Sequence, residues 1–437
     1  MAPADSILCT IEADPVLRST IIAVARCDRP PDRAGLAAAL GRAVEALPRL
    51  RSRIAEPLWP VRPRRWEEDP AFALDHHLRF VRVGGAGDLR AVLDLAARFA
   101  EEAFDPARPR WVVWVVEGLD GDRAALVLKV HHAITDGVGG MGLALQVLAD
   151  EEAAAPAGPA RPATGAGAVA RRLAGAAADP LGTVRSAAAL AGSLVRVLAP
   201  ATRRLSPLLQ ARGLDRRLDV FDVPIAGLRA AADRAGGTLN DAYLAAVTGG
   251  LARYHERLGA PVDRLRATLP ISIRRPDDPP GGNRFVPARL VLPVAGDPLV
   301  RARTAGAIVR RWRAEPAFEL ADRVAAVLDR LPPPLVVRLF GGMLKNVDVD
   351  IVNVPGAQRP FTVGGARVER FWAFAPPAGT AVSITLLSHA GNCCVGINAD
   401  TAAVGDPEAL CACLREGFAE VVAAGHPRAR RRAAGGA

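Results

Sequence analysis

Residues 151–167 are almost entirely Ala, Pro and Gly, with barely a large apolar side chain among them. Such a stretch has nothing to bury and reads as a linker, so the apolar patterns on either side must build their own cores. A chain of 437 residues has room for two domains of ordinary size. The expected division is a unit over 1–150, the linker with a basic amphipathic helical segment over 151–213, and a second unit over 214–437.

Both flanks mix the two periodicities of regular structure. Residues 19–27 form an apolar, β-branched run of strand type. Leu36, Leu40, Val44 and Leu47 then follow at helical spacing, with Asp32 placed to cap that helix. Leu89, Val92, Leu93, Ala96 and Phe99 mark another helix, and residues 111–116 and 124–130 two more strands. A helix carrying Leu143, Leu145 and Leu148 is expected after Gly137. In the second half, helices over 225–235 and 240–258 precede strands at 266–273 and 285–293. Strands at 347–354, 381–388 and 393–398 and a last helix after Asp406 complete the pattern. Strands and helices mixed in both halves predict an α/β (α+β) fold. Residues 168–204 look helical and basic, with Val184, Ala188, Ala191, Val195 and Leu198 on one face. That face either packs on the protein's own body or lies on a lipid surface.

The formal charge of +10 comes almost wholly from Arg, since Lys occurs only at Lys129 and Lys345. The basic residues are scattered and only two Tyr are present for base stacking, which argues against nucleic acid. An anionic membrane surface or a phosphate-bearing ligand fits the excess better. None of the six Cys stands at a metal-ligand interval from another Cys or a His, so no metal is expected. Free thiols, an N-terminus without a signal-type pattern and no apolar run of bilayer length predict a cytoplasmic protein, with peripheral contact to the inner membrane or lipid inclusions as a further expectation.

The strongest local signal is His131-His132-Ala133-Ile134-Thr135-Asp136-Gly137. An apolar strand delivers the His pair to a turn, and a helix leaves from the Gly-rich residues 137–142. A strand end holds a side chain rigidly while the turn opens it to substrate. An alcohol is a weak nucleophile at neutral pH. A neutral imidazole beside its hydroxyl can take the proton as the C–O bond forms, an effect of about 10²–10⁴-fold. Gly137 permits a backbone path that a side chain would obstruct. Asp136 either fixes the turn or orients a ring. A second pair, His76-His77, has no Asp-Gly at the matching offset and reads as structural.

This run resembles the HHxxxDG motif of the coenzyme A-dependent acyltransferase superfamily. Further blocks resemble its bacterial wax ester synthase/diacylglycerol acyltransferase branch: Trp66 with residues 72–79, residues 104–111, Thr238-Leu239-Asn240-Asp241, residues 269–274, Gly282-Asn283, Asn353-Val354-Pro355-Gly356, and Asp400 with Asp406-Pro407. The resemblance implies two chloramphenicol acetyltransferase-like subdomains, each a mixed sheet with helices, and a tunnel between them. It implies acyl-coenzyme A as co-substrate with no bound cofactor, and diacylglycerol or a long-chain alcohol as acceptor. His132 would be the general base, with His131 and Gly137 completing the motif. Asp136 would be structural and paired with an Arg of the other half, for which Arg274 is the candidate. Asn240 would help stabilise the oxyanion, the alternative being a helix N-cap. Asn353, Pro355 and Gly356 would form a turn in the tunnel wall.

Three departures from the branch's pattern bear on the acceptor. Leu209 in Ser206-Pro207-Leu208-Leu209 replaces an Asn, Pro109-Arg110-Trp111-Val112 replaces Pro-Leu-Trp-Glu, and His389 stands where Tyr is usual. They keep open a related enzyme acylating another hydroxyl or an amine, such as a secondary metabolite. A stand-alone condensation-type domain, which carries the same seven-residue motif, and a non-catalytic lipid-binding protein are the remaining alternatives. Nothing in the sequence speaks to oligomeric state.

Overall fold

The computed structural model describes residues 1–56, 64–84, 87–143, 149, 180–274 and 282–426. The expected linker, Leu145, Leu148 and the basic tail at 427–437 lie outside these residues. In chain order the strands are β1 (Thr20–Cys27), β2 (Ser52–Ala55), β3 (Arg65–Glu68), β4 (Leu78–Arg82), β5 (Trp111–Leu119), β6 (Arg123–His131) and β7 (Arg216–Pro224). There follow β8 (Arg264–Ser272), β9 (Phe285–Pro293), β10 (Val349–Val354), β11 (Thr362–Val363), β12 (Ala366–Phe374), β13 (Val382–His389) and β14 (Asn392–Asp400). They form two mixed six-stranded sheets, ordered β11-β12-β1-β6-β5-β4 and β7-β14-β13-β10-β8-β9, and a small β2-β3 pair.

The first sheet is buried on both faces, and the strand alternation assigns each residue to one of them. In β1, Ile22 and Val24 pack on one side while Ala25 and Cys27 pack on the other. In β6, Ala125 and Val127 share the face of Ile22, and Leu126, Leu128 and Val130 share the face of Ala25. Helix Leu89–Glu101, capped by Asp88 through the N–H of Ala91, covers the Ile22 face with Val92, Leu93, Ala96 and Phe99. Helix Arg33–Ala46 covers part of the other with Leu36, Leu40 and Val44. Asp32 caps that helix through the N–H of Gly35.

Across the second sheet the same alternation decides what faces the core and what faces a cavity. Leu265, Ala267, Leu269 and Ile271 of β8 and Val349 and Ile351 of β10 join the large core beneath helices Leu239–Arg257 and Pro407–Gly425. The residues between them, Thr268, Pro270 and Ser272 of β8 and Asp350 and Val352 of β10, line a cavity on the opposite face.

Two elements depart from the sequence reading. The division at residue 214 is not the division between sheets, because β11 and β12 complete the first sheet from the second half of the chain. β12 pairs antiparallel with β1, Ile22 opposite Phe374 and Val24 opposite Trp372, and its Val368, Trp372 and Phe374 are buried there. The second departure is in helix Pro180–Leu198. Ala188, Ala191 and Val195 are exposed, Val195 at 67 %. The helix docks through Ser193, Leu194 and Val197, joined in the cavity lining by Leu198 of the expected face, with Ser193 Oγ accepting from the N–H of Ala317 at 3.0 Å. Arg196 adds two 2.9 Å bonds to Glu315.

Candidate active site

Strand β6 ends at the His pair, and the pleat sends the two rings to opposite sides. His131 is fully buried, its Nδ1 accepting from the N–H of Ala133 at 3.0 Å and its Nε2 lying 3.0 Å from Glu12 Oε2. Burial pushes the Glu12 carboxyl up, but His131, the N–H of Ser19 and Arg110 outweigh it and hold the carboxyl below its ordinary value. His132 lies on the other side, in the cavity wall, with its backbone N–H on Ser19 O at 2.8 Å and its ring 5.4 Å from that of Phe285.

The protonation pattern of His132 follows from its neighbour. Asn283 Nδ2 donates to Asp5 Oδ1 and to the carbonyl of His132, both at 2.8 Å, which fixes its Oδ1 as the acceptor facing the ring. His132 Nδ1 lies 2.7 Å from that Oδ1 and must therefore be the protonated nitrogen. Nε2 is left with its lone pair. Burial lowers the His132 pKa, with the Asp136 charge and Asn283 opposing, so the ring is neutral at neutral pH. Behind Asn283, the fully buried Asp5 is paired with Arg49 at 2.9 Å, and Arg49 also reaches the carbonyls of Ala133 and Ile134.

Asp136 is 6 % exposed and uses both oxygens. Oδ1 accepts from the N–H of Gly139 at 2.7 Å, capping helix Gly137–Leu143. Oδ2 accepts from Arg274 Nη2 at 2.8 Å and from the N–H of Arg284 at 3.0 Å. Gly282 adds backbone bonds to Ile134 and Asp136, so a segment of the second half is clamped onto the motif turn. Gly137 sits so close to Val354 that a Cβ would lie 2.9 Å from its Cγ2. At Gly356 a Cβ would overlap the carbonyl oxygen of Ser388, while the N–H of Gly356 donates to Ser388 Oγ at 2.9 Å. Pro355 lies between them in this turn, partly exposed.

Asn353 lines the cavity and donates from Nδ2 to Asn240 Oδ1 at 3.2 Å. Asn240 is not among the lining residues. Nor is it the N-cap of its helix. Thr238 caps it, in a reciprocal box with Asp241, because the capping oxygen must stand one turn ahead of the N–H groups it serves.

The cavity measures about 300 Å³ and is mainly apolar. Its far walls come from helices Pro3–Ile11, Pro180–Leu198, Ala321–Leu328 and Pro333–Leu344, through side chains such as Ile11, Val197, Leu328 and Met343, and from Phe318 in the turn Pro316–Leu320. None of the three departures from the family pattern reaches this lining. Leu209 is buried in the second core, and Val112 packs beneath helix Leu89–Glu101. His389 packs edge-on to Phe361 with Nε2 3.2 Å from Val368 O. His77 is likewise internal, stacked between Phe72 and Trp111 with Nδ1 on Trp111 O at 2.7 Å. Asn283 stood in the sequence beside Gly282 as part of a recognisable block, whereas Asp5 and Arg49 carried no local signal.

Comparison with known proteins gives a consistent picture. Residues 1–243 match the wax ester synthase/diacylglycerol acyltransferase catalytic domain and residues 281–421 the corresponding C-terminal domain. A Mycobacterium tuberculosis protein named as a diacylglycerol O-acyltransferase is 35 % identical over 459 residues, covering 98 % of this chain and 93 % of its own. Among solved structures, a wax ester synthase/diacylglycerol acyltransferase from Marinobacter aquaeolei VT8 aligns at TM-score 0.65 and 22 % identity, covering 97 % of this chain and 99 % of that one. The first condensation domain of the calcium-dependent antibiotic synthetase, in complex with a substrate analogue, aligns at TM-score 0.66 and 17 % identity, over 97 % and 96 % of the two chains. These last two likenesses establish the fold, a pair of chloramphenicol acetyltransferase-like subdomains.

Proposed function

The chain belongs to the wax ester synthase/diacylglycerol acyltransferase family, and from that premise we propose that it moves a fatty acyl group from acyl-coenzyme A to the hydroxyl of diacylglycerol or a long-chain alcohol, giving triacylglycerol or a wax ester. One observation carries the reading: His132 is held by Asn283 as the Nδ1–H tautomer, with Nε2 unprotonated in an apolar cavity.

In this mechanism the acceptor hydroxyl gives its proton to His132 Nε2 as its oxygen attacks the thioester carbonyl carbon. The tetrahedral intermediate expels the coenzyme A sulfur, which takes the proton back from the imidazolium. No acyl-enzyme is needed, because both substrates meet at one ring. Asp136 and Arg274 act as a structural clamp between the two halves. Asn353, in the cavity wall, is the amide placed to donate to the developing oxyanion, with Asn240 positioning it from behind. The turn through Pro355 and Gly356 seats Asn353 beside the motif helix.

Contact with a lipid surface is part of the proposal. Three of the helices that wall the cavity also carry exposed apolar side chains, Val195 at 67 %, Val327 at 64 % and Leu335 at 48 %. No helix among the described residues is long and apolar enough to cross a membrane, so the contact would be peripheral.

The deciding experiment incubates purified protein with a long-chain acyl-coenzyme A and either hexadecanol or diacylglycerol. Acceptor-dependent release of free coenzyme A and formation of the ester are expected, and His132→Ala should abolish both. Undiminished turnover in that variant would overturn the mechanism. Turnover only with small alcohols or amines would leave the base in place and move the acceptor to the alternative class.

A further inference from the structure

Apolar walls make one polar spot in the cavity conspicuous. The polar residues near the reacting centre, His132, Asn283 and Asn353, are accounted for by the chemistry above, and Ser272 Oγ accepts from the N–H of Arg274 at 3.3 Å. Two others lie deeper. Asp350 of β10 and Thr268 of β8 are register partners on adjacent parallel strands, and both line the cavity. Thr268 is 6 % exposed and its Oγ1 has no hydrogen-bond partner among the described residues. Asp350 is 8 % exposed, and its Oδ2 accepts from Ser383 Oγ at 2.8 Å. The other carboxyl oxygen has no partner among the described residues.

A carboxyl and an unsatisfied hydroxyl in such a wall are costly unless something pairs with them. Arg289, the register partner of Thr268 on β9, does not serve. Its guanidinium turns to the carbonyls of Val197 and Ala199 at the end of helix Pro180–Leu198 and is not part of the lining. Thr380, the remaining polar side chain at this depth, is satisfied by the carbonyls of Pro377 and Val382. The position along the strand sets the distance. Ser272 pairs with Phe285, which touches the His132 ring, and Thr268 lies four residues further along β8. At strand rise this is about 13 Å from the reacting end.

We propose that Asp350 and Thr268 form a second recognition point that binds a hydroxyl group carried part-way along the aliphatic chain of one substrate. A chain entering from His132 and running along β8 would bring a mid-chain oxygen to this pair. Thr268 Oγ1 and the outer oxygen of Asp350 would then share its proton and lone pairs. Burial pushes the Asp350 carboxyl up to about 7, against the pull of Ser383, so that below neutral pH it is a donor as well as an acceptor. The inference rests on the acyltransferase reading for its orientation, and it extends that reading to substrate class. The hydroxyl could belong to the acyl chain of the thioester or to the acceptor alcohol.

Equilibrium binding separates this idea from the catalytic one. The full-length protein is titrated with positional isomers of a hydroxy-fatty acyl-coenzyme A and, in a second arm, with long-chain diols, each against the unsubstituted parent. In one arm a mid-chain isomer should bind roughly tenfold tighter than its parent, while isomers hydroxylated near either end should not. Thr268→Val, close in shape, and Asp350→Val combined with Ser383→Ala, which leaves no orphaned hydroxyl, should each bring the ratio close to one. Equal binding of all isomers and parents in both arms overturns the proposal, as does a preference that survives both variants. Should a variant not fold, the wild-type ratio alone decides. Catalytic failure with a preserved binding preference would count against the acyl-transfer reading and not against this one.

Discussion

Burial holds the pKa of His132 below the ordinary imidazole value, and in the proposed mechanism the neutral ring is the active form. The sign is therefore fixed. Activity should be level at neutral pH and fall as pH drops through that lowered pKa, which a pH profile of kcat/KM for acyl transfer would read directly. Asn283→Ala removes the acceptor that selects the Nδ1–H tautomer and should lower kcat by on the order of a hundredfold with a smaller change in KM. A kcat within twofold of wild type would mean that the tautomer is set elsewhere. The acid limb was foreseeable from the seven-residue motif, which placed His132 at a strand end. Its partners were not. Asn283 bonds to His132 across 151 residues of sequence and to Asp5 across 278, and no periodicity or spacing links residues that far apart.

Helices of this protein are rich in Ala, and that blurs the distinction between faces. In helix Pro180–Leu198 the stripe through Ala188, Ala191 and Val195 carries no polar residue, like the neighbouring Leu194 and Val197, yet only Leu194 and Val197 are packed. Helical existence was legible, while the buried side was decided by Glu315 and Ala317, which take Arg196 and Ser193 from a distant part of the chain. The exposed stripe has a measurable consequence. Val195→Asp together with Val327→Asp should weaken co-sedimentation with anionic phospholipid vesicles roughly tenfold while leaving the far-ultraviolet circular dichroism unchanged. Unaltered sedimentation would remove these helices from any lipid contact. Strand β12 shows the same limit in another form. Its even-numbered residues Ala366, Val368, Trp372 and Phe374 keep a strand period, but the charged pair Glu369-Arg370 interrupts the run and hides it.

At the scale of the molecule, the two sheets are not two independent bodies. The fold class and the motif's setting were legible because both are local. Which half of the chain finishes which sheet was not, since β12 is joined to β1 by pairing across more than three hundred residues. Asp136 and Arg274 tie the halves together a second time. Separately expressed fragments 1–213 and 214–437 should consequently fail to give dispersed amide spectra or cooperative melting, whereas the whole chain should unfold in one main transition. Two well-folded fragments would show that the crossed strand is dispensable.

The crossed strand also sets an order of events in the cell. On the ribosome the His132 segment emerges early, yet the neighbour that closes its sheet, β12, ends at Phe374. Domains usually fold as they leave the tunnel, N-terminal first. Here the nascent chain must hold an unfinished sheet edge until β12 has been made, more than three hundred residues after β1. Products that terminate before β12 would therefore be catalytically silent and would depend on chaperones, so acyl transfer would begin only after β12 has left the ribosome.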